Sequence, residues 1–160
     1  MSKTYLTAAG SILTVEARHS AYIRGVNKQV PFAQPFDAPL SLDAVYTLAA
    51  GFITGCPAEN PTLPVKAFPS LSASSTDGTV KTGSTVMLGT TGYVVEGTVY
   101  AAFVAVTGPT FVEAKAVEGG FEVVVPEGFA GQSYVLLTSC NTAATDDTIV
   151  AGPAIVEISA

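Results

Sequence analysis

A chain of 160 residues can bury one ordinary core without disulfide or metal staples. Only 12% of it is charged against 48% hydrophobic, with a mean hydropathy of +0.44, so it is poor in charge for a soluble monomer and leaves apolar surface for a partner subunit to cover. Net charge is −6 with seven Lys and Arg, which argues against nucleic-acid partners and anionic membranes, and no apolar run is long enough for membrane insertion.

The first expected element is a helix from about Thr4 to Val26, capped by Thr4 or Ser2 and ended at Gly25 and Asn27. Ala8, Ile12, Val15, Tyr22 and Val26 follow spacings of four and three, and His19 falls in the same stripe. His19 is the only histidine, and Glu16 precedes it by three residues. Positions i and i+3 share a helix face, so Glu16 and His19 form a pair of candidate metal ligands, with iron or zinc as the metal they would take. A full site needs more donors, from Asp37, Asp43 or Glu59, or from a second copy across a two-fold axis. The competing reading is a structural pair, hydrogen-bonded to each other or to Arg18 and Tyr22.

Asn27 to Pro39 reads as a loop, since Pro31, Pro35 and Pro39 forbid a continuous helix. Phe32 and Phe36 are expected to pin this loop onto the first helix. A short second helix follows, from about Ser41 to Phe52, with Ser41 and Asp43 at its start and Leu42, Val45, Tyr46, Ala49 and Phe52 as its apolar face. Pro57, Pro61, Pro64 and Pro69 then mark an extended linker, and the domain boundary is placed near Asn60. This divides the chain into a helical segment, 1–60, and a β-domain, 61–160.

From Val65 onward Val, Thr, Phe and Tyr dominate, punctuated by Gly and Pro. Expected strands are Val65 to Phe68, Thr85 to Gly89, Thr98 to Val106, Thr110 to Val117, Phe121 to Val125, Ser133 to Ser139 and Ile155 to Ile158. Glu118-Gly119-Gly120 reads as a hairpin turn, and Ser72 to Ser84, with Asp77-Gly78, as a mobile loop. The predicted fold is α+β, mainly β: a helical hairpin followed by an immunoglobulin- or fibronectin-like sandwich of about seven strands. A jelly roll or small barrel is the alternative.

LTVEARHSAYIRG, PFDAPLSLDAVYTLAAGFI and CPAENPTLPVKAFPSL together resemble the C-terminal part of fungal ferritin-like proteins of the desiccation- and stress-response type. GFAGQSYVLLTSC and TDDTIVAGPAIVEI resemble the β-rich tail of the same proteins. The resemblance implies that the first helix corresponds to the last helix of a ferritin-like bundle, in which Glu-x-x-His supplies di-metal ligands. A complete site takes Glu from two helices and Glu-x-x-His from two more, whereas this chain has one such motif, so a truncated relative is expected. Composition and resemblance together suggest secretion, and secretion implies a disulfide between Cys56 and Cys140, against the alternative of two buried free thiols.

Catalytic patterns are sparse. A Ser-His-acid triad would have to use His19, no Gly-x-Ser-x-Gly elbow occurs, and no Trp is present to stack on sugars. Asp146-Asp147 reads as a solvated turn, or as a weak calcium loop with backbone carbonyls, and the loops Ser72 to Ser84 and Asn141 to Asp147 are the exposed candidates for a binding surface. The expected function is therefore non-enzymatic: a secreted binding protein, immunomodulatory or lectin-like by analogy of architecture, with a cell-surface glycan or receptor as partner. It is expected to be a homodimer, with Ile12, Val15, His19 and Tyr22 at the contact. A metal-binding ferritin-like remnant and a structural stress or cell-wall protein are the alternatives.

Overall fold

The computed structural model describes residues 3–32, 34–75 and 78–159. Helix α1 spans Lys3–Val26 and α2 spans Leu42–Ala50. Eight strands follow: β1 (Ser72–Ser74), β2 (Thr85–Gly89), β3 (Tyr100–Phe103), β4 (Thr110–Glu113), β5 (Lys115–Val117), β6 (Gly120–Val124), β7 (Gly131–Thr138) and β8 (Ile149–Ile158). They form two four-stranded antiparallel sheets, one in the order β1-β2-β6-β5 and the other β4-β3-β7-β8.

The core lies between the sheets. Strand side chains alternate across a sheet, so β2 sends Val86 and Leu88 inward while β6 sends Phe121 and Val123. They meet Ala101, Phe103, Val135, Leu137, Ala154 and Val156 from the opposite sheet. Phe103 is fully buried and stacks at a tilt on Phe129, with centroids 5.4 Å apart. Gly120 is required where β6 starts: its φ is +155° and a Cβ there would run into the Leu88 carbonyl.

The β4-β3-β7-β8 sheet is covered on both faces. Its outer residues Ala102, Val104, Leu136 and Ile149 pack with Ala38, Leu40 and Phe68 from the segment around α2. That double cover explains the unbroken apolar runs of β3 and β7, which strict alternation would not give. Ser41 caps α2 by accepting from the Ala44 amide at 3.2 Å. The Thr47 hydroxyl accepts from the Phe68 amide at 2.9 Å, and the Asp43 carboxylate accepts from the Lys66 amide at 3.0 Å.

Several expectations are corrected here. The two helices do not form a packed hairpin: no residue of α1 is buried, and α2 turns its one buried residue, Ala44, to the sheet. The contact side of α2 is Ala44 and Thr47, while Leu42, Val45 and Phe52 are exposed. Phe32 and Phe36 are exposed as well and pin nothing. Val65 to Phe68 is not a strand, because its amides at Lys66 and Phe68 bond to α2 side chains instead of a neighbouring strand.

Thr110 to Val117 is two strands, not one. The chain leaves one sheet after Glu113 and joins the other at Lys115; this division and the added strand at Ser72–Ser74, set against the loss of Val65 to Phe68, bring the count to eight. Ser72 to Ser74 pairs with β2, and Val80 bridges Ile158, so the stretch expected to be a mobile loop is partly sheet; Asp77 lies outside the described residues. The hairpin at Glu118-Gly119 forms as expected, with Val117 opposite Gly120. The expected disulfide is not formed. Cys56 and Cys140 are free thiols, Cys56 exposed beyond α2 and Cys140 engaged in its own loop, with its sulfur 3.3 Å from the Ala143 carbonyl.

Candidate functional site

The surface that stands out is α1. Its 24 residues include Tyr5, Leu6, Ile12, Leu13, Tyr22, Ile23 and Val26, all at least half exposed. Of the residues expected at a contact, Ile12, His19 and Tyr22 are exposed and Val15 is partly covered. Glu16 and His19 are both exposed on α1, within the apolar side.

The C-terminal end of the helix is anchored to the β4-β3-β7-β8 sheet. Arg24 donates through Nε to the Val30 carbonyl at 2.9 Å and through Nη1 to Gln132 at 2.7 Å. Its Nη2 reaches both carboxylate oxygens of Glu157, at 2.6 and 2.7 Å. This charge-assisted cluster ties the last turn of α1 to β7 and β8. Nothing in the sequence around Arg24 singles it out for this role. Gln132 and Glu157 lie more than a hundred residues from Arg24, and no local pattern signals them.

The metal ligands named from sequence are not assembled within the chain. Among the described residues no group of three or more His, Cys, Asp and Glu gathers. Asp43 is committed to the Lys66 amide, and Asp37 and Glu59 are exposed elsewhere. Glu16 and His19 supply two donors, fewer than a zinc or di-iron centre takes, so one chain does not fit such a group.

A cavity of about 200 Å³ lies between the start of α2 and the outer face of the sheet, walled by Leu40, Ala44, Val104, Leu136 and Ile149. Ser41, the hydroxyl at its edge, is already used as the α2 cap. The cavity can take an apolar group and offers no chemistry.

In the loop between β7 and β8, Thr148 Oγ1 donates to the Ala143 carbonyl at 3.0 Å and accepts from the Thr145 amide at 2.9 Å. The Cys140 thiol sits there, held below the usual thiol range by hydrogen bonds from the Thr142 and Ala143 backbone. Asp146 and Asp147 are exposed in the same loop. Burial raises the Tyr93 hydroxyl above its ordinary range, and that group donates to the Ser70 carbonyl at 2.6 Å. No helix among the described residues is long and apolar enough to cross a membrane.

Residues 1–29 match the family profile of the ferritin-like domain. The match covers α1 and the turn after it, so the resemblance to a ferritin-like domain is confined to the N-terminal region and the β-domain lies outside it. No curated protein matches the chain.

Proposed function

We propose that this chain is a non-enzymatic assembly and binding protein: a β-sandwich of the immunoglobulin type, displayed on a helix that pairs with a second copy. The observation that carries the reading is the bare apolar side of α1, none of whose residues is buried. An isolated helix gains most of its stability from packing an amphipathic face, so a helix with none of its own packed calls for a partner. Burying such a face yields ~25 cal/mol per Å².

The strand order supports the sandwich reading. In immunoglobulin domains the sheets run A-B-E-D and, when C′ is present, C′-C-F-G. Taking β1, β2, β3, β4, β5, β6, β7 and β8 as A, B, C, C′, D, E, F and G gives the two orders found here. Loops at the sandwich ends, including Asn141 to Asp147, would form the binding surface, with a cell-surface glycan or receptor outside the cell as the partner. Two sandwiches joined through α1 would bind such a surface with avidity.

A second reading rests on the ferritin-like match over residues 1–29. There α1 is one helix of a larger bundle, further bundle helices cover its apolar side, and Glu16 with His19 is part of an iron or zinc site completed from those helices.

Solution mass with metal content, measured together on the purified full chain, tests both. A metal-free dimer is the expected result. A monomer at all concentrations overturns the dimer, and stoichiometric metal lost in His19→Ala replaces the first reading with the second.

A further inference from the structure

The apolar side of α1 is a heptad seam with a carboxylate and an imidazole at its centre. Tyr5, Ala9, Ile12, Glu16, His19, Ile23 and Val26 follow one another at spacings of 4, 3, 4, 3, 4 and 3 residues. That strict 3.5-residue period is the a/d repeat of helices that pack side by side. The other large apolar residues, Leu6, Leu13, Val15 and Tyr22, flank the seam at e and g. The b, c and f positions carry only small or polar residues and Arg18 and Arg24. All seam residues are exposed except Ala9, which is half-exposed.

We propose that α1 pairs antiparallel with α1 of a second copy, about a two-fold axis passing between Ala17 and Arg18, so that Glu16 of each chain meets His19 of the other. This rests on the dimer reading above and fixes its orientation and register. With that axis the layers are Ala9 on Val26, Ile12 on Ile23 and Glu16 on His19, each then repeated by symmetry. Every apolar layer faces an apolar layer, and each carboxylate faces an imidazole.

The alternatives each leave a defect. Parallel pairing in register stacks Glu16 on Glu16 and His19 on His19, which sets like groups together. Sliding the antiparallel pair by one heptad puts Glu16 against Ile12 or Val26 and strands the carboxylate on an apolar layer. A polar pair at one seam layer is a known way for helices to fix their register. The anchorage fits too. Arg24 holds the C-terminal end of each α1 to its own β7 and β8, so an antiparallel pair carries the two β-domains at opposite ends of a helix roughly 36 Å long, clear of one another.

Two experiments on the full chain test this. In a background with Cys56→Ser and Cys140→Ser, the variants Ile12→Cys and Ile23→Cys are mixed and oxidised. The expected product is the 12–23 heterodisulfide, with little 12–12 or 23–23 product. In the second experiment, Glu16→Lys makes the centre of one chain wholly basic, and His19→Glu makes the other wholly acidic. Each variant alone is expected to dimerise at least roughly tenfold more weakly than the parent, and an equimolar mixture to regain the parent affinity. All four substitutions lie on an exposed helix face, and an unchanged unfolding midpoint of the β-domain confirms that each variant is folded.

A dimer that gives mainly 12–12 product is parallel and overturns the register while leaving the dimer reading intact. A dimer with no cross-link through α1, or with no recovery on mixing the charge variants, overturns the pairing as well. A parent chain that is monomeric by solution mass overturns the dimer reading itself.

Discussion

The two ends of the chain handle apolar surface in opposite ways. Among the described residues, eighteen large apolar side chains are exposed, and fourteen of them precede Pro64. The β-domain carries four, yet it holds nearly the whole core, with Leu88, Phe103, Leu137 and Ile158 at 0% exposure. The strands therefore complete a core of their own, and the N-terminal helices do not. α2 is an intermediate case, held to the sheet by Ala44 and Thr47 while Leu42 and Val45 face out. Helical sequence and folded stability are separate matters: α1 has the apolar stripe of a packed helix, yet none of its residues is buried within one copy.

The contrast is broken most severely by damaging the core. Phe103→Ala should cost about 3–5 kcal/mol in denaturant unfolding, through lost burial and the cavity left beside Phe129. Gly120→Ala should cost roughly 1–3 kcal/mol, since its positive φ and the Leu88 carbonyl leave no room for a methyl group. Thr47→Val should cost about 1–2 kcal/mol, because the Phe68 amide loses its acceptor; faster amide exchange confined to Phe68 and α2 would mark the loss as local. Arg24→Ala should leave the β-domain midpoint almost unchanged but increase the angular spread of α1, read as a broader spin-label distance distribution between α1 and β8. Smallest of all, Ile12→Ala should shift the unfolding free energy of the dilute chain by under about 0.5 kcal/mol, since its side chain is exposed and lies outside the core.

The sequence disclosed elements better than contacts. The 3.6-residue pattern placed α1 to within a residue of its ends, and Ser41 announced the α2 cap. Strand β2 and the Glu118-Gly119 hairpin were equally plain, because alternation and a Gly turn are local signals. What stayed hidden depends on partners distant in sequence. The switch between sheets at Ala114 has no local marker, as both halves of Thr110 to Val117 are good strand sequence. The face of α2 was misjudged because Thr47 and Asp43 bond backbone amides of the 66–68 segment, which hydrophobic spacing cannot reveal. The Cys56–Cys140 disulfide was inferred from compartment and not from geometry, and the structure keeps the two thiols apart in chemistry: the Cys140 loop bonds its sulfur locally. Glu16 and His19 were legible as a pair, and α1 keeps them on one side, but among the described residues no third donor gathers beside them.

The central claim is that α1 is completed by a second copy while the sandwich, with the α2 segment on its outer face, is complete within one copy. Amide hydrogen exchange of the full chain, measured at two concentrations that bracket dimerisation, tests it most directly. Protection of residues 9–26 should rise with concentration, while protection of β2, β3, β6 and β7 stays constant. Equal protection of α1 at both concentrations, or a β-domain whose protection rises along with it, would contradict the claim.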